Sequence, residues 1–392
     1  MGTRLRWKEQ LRITHIGPDS EFVRFASEIF ESVAPGTNEY IILTGSDNRS
    51  VRFPPRRGRI RVVSSGIRGT APVPFAVRGS DIIIAHSMSP HAALAFATAR
   101  PRTLKVWSGW GFDYYGSDDS PDFGLLGHST LQLSSALGSS IGDLNVIKAL
   151  RRKISRSVIR QITHHAAAKT DYFSAIPDDL KVFTTRFPEF HGSYAQLNYS
   201  SVTGTFARGA IANSGSDILV GNSASLTNNH LEVFDMLARQ DLTGRRVVVP
   251  LSYGNPAYRD AIVARGTVLF GSAFLPLLEM LPLDQYISVV ASCNVVIMNH
   301  QRQQALGNIG AALYHGSHVF LDKANPTLEF FRSRGAVIYD TAQLDNGLPN
   351  GPTSPETIST NRSVLEAFFG QEQITKNVEV LIGKLNPSRP EC

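Results

Sequence analysis

The sequence predicts an α/β protein of two domains, each built on a parallel sheet. Three observations predict it. Short apolar runs alternate with helical patterns along both halves of the chain, as strands joined by crossover helices do. At 392 residues the chain is long for one compact core. Residues 192–217 turn to Gly, Ser, Thr, Asn and other small side chains, which reads as an interdomain linker.

In the first half, residues 12–16 read as a strand that ends in Gly17-Pro18-Asp19-Ser20. A helical pattern follows, with Phe22, Phe25, Ile29 and Phe30 on one face. Residues 40–44, 81–85 and 104–107 read as further strands, and 144–169 as a helix rich in basic residues. In the second half the apolar runs 217–220, 246–250, 267–270, 295–298, 318–321 and 336–339 read as strands, and 363–385 as a closing helical segment. The expected boundaries are therefore 1–200, 201–362 and a C-terminal helix in 363–392 that packs back on the first domain.

Hydrophobic residues make up 42% and charged residues 18%, which fits a folded globular protein. The two cysteines, Cys293 and Cys392, lie far apart, so neither a disulfide framework nor a cysteine metal site is expected. The charged N-terminus has no apolar stretch behind it, which argues against a signal peptide. No apolar run reaches the ~18 residues that span a bilayer. The expectation is a cytoplasmic protein, in solution or resting on the inner face of the cell membrane.

The most informative stretch is 298–316. A buried strand runs into the polar elbow His300-Gln301-Arg302-Gln303-Gln304, and Gly307-Asn308-Ile309-Gly310 then open a helix. Unpaired amides and the positive dipole end at such a helix start favour an anion. Arg302 adds charge, and Gln301, Gln303, Gln304 and Asn308 add donors suited to a phosphate or a sugar. An ordinary β–α turn would explain Gly307 but not this gathering of polar side chains. No Gly-x-Gly-x-x-Gly follows a predicted strand, which disfavours a dinucleotide oxidoreductase.

Ligands of open α/β sheets sit beyond the carboxyl ends of the strands. The polar segments there are 15–20, 86–90 and 110–115 in the first half, and 221–230, 250–258 and 301–310 in the second. Two such rims facing across a cleft describe the GT-B arrangement of two Rossmann-like domains.

The second half resembles the transferases of TDP-linked 4-acetamido-4,6-dideoxygalactose (TDP-Fuc4NAc) that build enterobacterial common antigen on a polyprenyl carrier. The residues that carry the resemblance are Ile218-Leu219-Val220-Gly221-Asn222-Ser223, Asn228-Asn229-His230, Val247-Val248-Val249-Pro250 with Tyr253 and Tyr258, Glu279 with Leu281, Asp284 and Tyr286, and Arg302-Gln303-Gln304 with Gly307 and Ile309. The first half is similar through His15-Ile16-Gly17 with Asp19, the 86–90 turn, and Trp110-Gly111-Phe112-Asp113-Tyr114. It departs through extra residues at Trp107-Ser108-Gly109 and a longer loop over 117–144, both where an acceptor would bind.

The resemblance implies a glycosyltransferase that moves a deoxy-amino hexose from a nucleoside diphosphate, TDP above all, to a lipid-linked or polysaccharide acceptor in surface-glycan synthesis. It places donor contacts at Asn222, Ser223, His230, Tyr253, Glu279, Gln301, Arg302, Gln303, Gln304, Gly307 and Asn308. Asn222 and Ser223 equally fit a helix cap, and His230 a structural role. The catalytic base is expected among Asp113, Asp19 and His15 on the first-domain rims, although Asp19 also fits a helix N-cap. No metal or other cofactor is called for, because Arg302 and the helix amides can offset the leaving diphosphate.

The predicted helix over 144–169 carries seven Lys or Arg and no acid between Leu144 and Thr170. Its apolar stripe is Ile147, Leu150, Ile154, Val158 and Ile162, with Arg151, Arg152 and Arg156 elsewhere around it. A cationic amphipathic helix of this kind suits an anionic membrane surface or lipid-linked substrate, and a solvated core helix is the alternative. No nucleic-acid-binding signature accompanies the charge. Rival functions are another GT-B enzyme, such as a nucleotide-sugar epimerase or a pyruvyl- or sialyltransferase-like enzyme, and a non-catalytic nucleotide- or carbohydrate-binding protein.

Overall fold

The structure, a computed structural model, describes residues 11–45, 50–116, 124–140, 146–205, 207–209, 213 and 215–385. The chain forms two compact units, one of residues 1–115, 145–200 and 371–392, the other of 116–144 and 201–370.

The first unit is a seven-stranded sheet in the order β3-β2-β1-β4-β5-β6-β7. The strands are β1 Ile13–Pro18, β2 Asn38–Thr44, β3 Arg59–Ser64, β4 Ile82–His86, β5 Leu104–Ser108, β6 Tyr172–Ser174 and β7 Ser193–Tyr194. All their pairings are parallel. β1 lies between β2 and β4, so the order of strand addition reverses there, which makes the β1–β4 boundary the switch point where such sheets bind ligands. Three strands were not anticipated. β3 is an edge strand whose alternating Arg59 and Arg61 are exposed and lack the apolar run of a central strand. β6 and β7 are only three and two residues long, and β7 falls inside the segment expected to be linker. Gly192 leads into β7 at a point where a Cβ would stand 2.4 Å from the carbonyl oxygen of Asp171, so only glycine fits.

The core of this unit is completed by the far end of the chain. Ile374, Val378, Leu381 and Ile382 of the helix Gln371–Gly383 are buried with Ile13, Ile29, Phe30, Val33, Ile82 and Ile84. At roughly 1.5–3 kcal/mol for each such side chain buried, this helix is an integral part of the unit.

The second unit is a six-stranded parallel sheet in the order β10-β9-β8-β11-β12-β13. Its strands are β8 Asp217–Val220, β9 Val247–Pro250, β10 Phe274–Leu277, β11 Cys293–Met298, β12 His318–Leu321 and β13 Tyr339–Asp340. The same reversal occurs between β8 and β11. Ile218, Val220, Phe234, Val247, Val249, Tyr258, Ile262, Val295 and Ile297 form its core.

The segment 116–144, counted by chain order with the first domain, contributes the helix His128–Ser140 to this second unit. Thr130 donates to Glu232 through both its amide (2.9 Å) and its hydroxyl (2.6 Å). Residues 267–270, expected to be a strand, instead end the helix Pro256–Phe270. Asn255 caps that helix by accepting from the Tyr258 amide, and Pro256 opens it. The run Thr267-Val268-Leu269-Phe270 is too short for periodicity to tell strand from helix, and Val268 is 78% exposed. The strand follows at β10.

Candidate active site

In the second unit the loops after β8, β9, β11 and β12 converge through side-chain hydrogen bonds. Gly221 follows β8 at φ +67, and a Cβ there would stand 2.6 Å from both Asn228 Oδ1 and His230 Nε2. The Asn228 side chain organises this corner. Its Nδ2 donates to Ser223 Oγ (3.2 Å) and the Ser225 carbonyl (3.1 Å), while its Oδ1 accepts from the Asn222 amide (2.8 Å) and pairs with His300 Nε2 (2.9 Å).

A carbonyl can only accept, so the Asn228 amide orientation is fixed and His300 Nε2 must be the donor. His300 is fully buried, and burial, then Arg302 and His230, hold its pKa well below the usual histidine range. It is therefore neutral, and its Nδ1 carries a buried lone pair with no partner.

Arg302, 6% exposed, points Nη2 at Thr227 Oγ1 (3.5 Å). Thr227 donates to Gln304 Oε1 (2.8 Å), Gln304 Nε2 to Asn222 Oδ1 (3.1 Å), and Asn222 Nδ2 to the Tyr253 hydroxyl (3.0 Å). Gln301 bonds Asp322, beyond β12. Arg302, Thr227, Gln304, Asn222 and Tyr253 are thus tied into one array at the carboxyl edge, and Gln301 links the same elbow to the loop after β12. After it, Ala305 takes φ +57 and opens the helix Leu306–His315 without a side-chain cap. The amides of Leu306, Gly307 and Asn308 have no preceding helical carbonyl to bond. Ile309 already bonds Ala305, so the open donors end at Asn308 and Gly310 lies buried in the next turn.

Other expected donor contacts stand differently. Ser223 is 2% exposed with its hydroxyl bonded to Asn228 and Tyr253. His230 opens the helix His230–Leu237 fully buried, its Nδ1 3.1 Å from the Tyr258 hydroxyl, its Nε2 without a partner and its pKa pushed down to about 3 by burial. Gln303 is half-buried in the elbow. Glu279 is exposed beyond β10, the edge strand, two strands from the β8–β11 boundary.

In the first unit the three candidate bases are all engaged. His15 lies inside β1 rather than on a rim, stacked on Tyr40, with Nδ1 3.0 Å from His86 Nε2 and Nε2 3.2 Å from Asn38 Oδ1. Burial lowers its pKa to about 4. Asp19 accepts from the amides of Arg52 (2.7 Å) and Phe53 (2.8 Å), and Ser20, not Asp19, caps the helix Glu21–Val33. Asp113 accepts from the Met88 amide (2.8 Å), Trp107 Nε1 (2.6 Å) and the Trp110 amide (2.8 Å), pinning the ends of β4 and β5 together. Burial raises its pKa and these donors offset part of the rise.

Sequence reasoning named His86 and His300 only as parts of the 86–90 rim and the polar elbow, and gave no role to Thr227, Asn38 or Tyr199. For His86 and His300 a signal existed, since each sits at or just beyond the end of a strand that borders a switch point. Among the described residues, no group of three or more His, Cys, Asp and Glu could hold a metal ion, and no helix is long and apolar enough to cross a membrane. Arg151, Arg152 and Arg156 fall in the helix Val146–Lys169, but their side chains lie outside the described ones.

Two parallel-sheet α/β units with a polar, anion-suited corner at a switch point define the class: a GT-B glycosyltransferase. The chain belongs to the family 4-alpha-L-fucosyltransferase, glycosyl transferase group 56, whose family model matches residues 159–374, more than half of it. Solved structures share the fold at low identity. HepE of Anabaena, in complex with UDP and glucose, is 13% identical with a TM-score of 0.60, over 95% of this chain and 100% of that one. Sucrose-phosphate synthase of Thermosynechococcus elongatus is 9% identical with a TM-score of 0.65, over 97% and 100%. A glycosyltransferase of Rickettsia africae is 9% identical with a TM-score of 0.63, over 97% and 99%.

The buried neutral histidines make stability depend on pH. The folded pKa of His15 is near 4, below its unfolded value of 6.5, so between those values the unfolded chain holds a proton that the folded one lacks. Stability is then lost as pH falls through this window. His86, His230 and His300 shift in the same direction. At pH 5.5 His15 alone costs about 1.4 kcal/mol relative to neutral pH. Urea unfolding at pH 7.5 and 5.5 checks this, and a midpoint no lower at pH 5.5 contradicts it.

Proposed function

We propose that this glycosyltransferase moves a deoxy-amino hexose of the fucose type from a nucleoside diphosphate, TDP above all, to a lipid-linked glycan acceptor at the inner face of the cell membrane. The observation that carries the donor half is the Arg302 array. A buried guanidinium sits four residues before an uncapped helix start, at the switch point of the second sheet. Arg302 and the amides of Leu306, Gly307 and Asn308 offset the charge of the leaving diphosphate, and no metal is assigned to this step. Asn222, Gln304 and Tyr253 set the height and angle of the elbow, and Glu279 offers its carboxylate to the donor ribose hydroxyls. The family description names a fucosyl group, and fucose and 4-acetamido-4,6-dideoxygalactose are both 6-deoxy sugars. HepE, similar in fold, was solved with UDP and glucose, which supports a nucleoside diphosphate as the donor class.

The acceptor half rests on the helix Val146–Lys169. Val158 (47% exposed) and Ile162 (36%) of its apolar stripe lie open, with Ile159 exposed beside them and Arg160 exposed too. Apolar side chains left open next to cations suit an anionic membrane surface better than a core. Each basic residue there adds roughly 1 kcal/mol of attraction. Asp19 and Asp113 accept hydrogen bonds that hold the first-unit loops and strand ends, and each carboxylate keeps acceptor capacity beyond those bonds.

Calorimetric titration with TDP, UDP, GDP and NAD tests the donor reading. One nucleoside diphosphate is expected to bind at micromolar concentration, with Arg302→Ala weakening it at least tenfold while leaving the parent nucleoside unaffected. Equal losses for diphosphate and nucleoside, or no diphosphate binding, contradict it. For the membrane surface, co-sedimentation with phosphatidylglycerol vesicles should fall at least tenfold in a Val158→Asp/Ile162→Asp variant and in an Arg151→Glu/Arg152→Glu/Arg156→Glu variant. Unchanged binding in both returns the helix to a structural role.

A further inference from the structure

At the switch point of the first sheet a chain of hydrogen bonds runs from Glu31 to His86, and its direction can be read. Asn38 Nδ2 donates to Glu31 Oε1 (2.8 Å) and to the Ala34 carbonyl (2.8 Å). The carbonyl can only accept, so the Asn38 amide cannot be flipped and its oxygen faces His15. His15 Nε2, 3.2 Å away, must therefore carry the hydrogen. A neutral imidazole has one N–H, which leaves His15 Nδ1 as an acceptor and makes His86 Nε2 the donor across 3.0 Å. By the same count His86 Nδ1 carries a lone pair. That atom is buried and has no hydrogen-bond partner.

The surroundings hold His86 in place. It ends β4, and β1 beside it carries Gly17, where a Cβ would stand 2.9 Å from His86 Cβ. Ser87, next in the chain, takes φ +66, a conformation that costs a non-glycine residue energy and persists only where the surroundings impose it. Asp113 supplies part of that imposition through the Met88 amide. The ring of Tyr199 lies 5.5 Å from that of His86, its hydroxyl bonded to Ser108 Oγ (2.7 Å) and to Trp110 Nε1.

We propose that His86 is the catalytic base of the transfer reaction. Its Nδ1 takes the proton of the acceptor hydroxyl as that oxygen bonds to the anomeric carbon. The anomeric C–O bond to the diphosphate breaks, and the nucleoside diphosphate leaves with the electron pair. The proton makes His86 an imidazolium whose Nε2–H already points at the His15 Nδ1 lone pair, a preorganised acceptor that needs no reorientation during the reaction. His15, Asn38 and Glu31 are positioning residues: they fix which nitrogen of His86 is basic. The inference rests on the transfer from a nucleoside diphosphate proposed above.

Nitrogen NMR of the wild-type protein labelled with ¹⁵N-histidine, at pH 7.5, tests the tautomers directly. The expected result is one N–H···N coupling between two imidazoles, with the donor ring protonated at Nε2 and its Nδ1 unprotonated. A donor ring protonated at Nδ1, or at both nitrogens, overturns the proposal. His86→Gln places an amide N–H where Nε2 was and removes the basic nitrogen. Its kcat for TDP release from a TDP-linked sugar should fall at least 100-fold, with the Kd for TDP within threefold of wild type. A kcat within threefold of wild type overturns the proposal with the donor reading intact, whereas a wild-type protein that binds no nucleoside diphosphate fails the donor reading instead. Asn38→Leu, which frees His15 to take either tautomer, should lower kcat about tenfold, leave TDP binding unchanged and split the His86 signal.

Discussion

The side chain of a buried asparagine fixes the chemistry at each switch point. Asn38 in the first unit and Asn228 in the second each donate to a backbone carbonyl, which removes the freedom of the amide to flip. Everything bonded to the amide oxygen must then donate. In the first unit this direction passes through His15 to His86, and in the second it passes to His300. Both chains end in an imidazole nitrogen with a lone pair and no partner. A buried polar atom left unmade costs roughly 1–3 kcal/mol, and His86 Nδ1, His300 Nδ1 and His230 Nε2 all stand near the places where open parallel sheets bind ligands. Under the proposal above, the acceptor hydroxyl supplies the missing partner at His86.

Two acidic residues on the rim of the first unit carry structural bonds as well. Asp113 holds Met88, Trp107 and Trp110, and Asp19 holds Arg52 and Phe53. Each carboxylate fixes a loop whose backbone would otherwise leave amides unpaired. In the second unit the array from Arg302 through Thr227, Gln304 and Asn222 to Tyr253 links the loops after β11, β8 and β9. In the donor reading proposed above, this guanidinium offsets the developing diphosphate charge.

Much of the architecture was legible in the residues. Central strands such as β2, β4 and β11 are buried on both faces and read as unbroken apolar runs. The polar elbow after β11 was visible as a strand, an arginine among amides, and a helix start. Three kinds of information were not local enough to read. The edge strand β3 lacks the apolar run of a central strand, and its short Arg-Ile-Arg-Val alternation is a weaker signal. Residues 267–270 are apolar in either a strand or a helix, and the cap at Asn255, twelve residues upstream of Thr267, decides between them. The tautomers of His15 and His86 depend on Asn38 and Ala34, on another strand and at a helix end, and no spacing rule brings those residues together.

Hydrogen exchange read by mass spectrometry, with and without TDP, tests the central claim most directly, because it locates the donor without any substitution. Bound TDP should slow exchange at residues 221–230 and 300–309, the loops at the β8–β11 switch point. Binding of TDP without protection in either segment, or with protection confined to residues 13–20 and 86–90, would contradict the placement of the donor in the second unit.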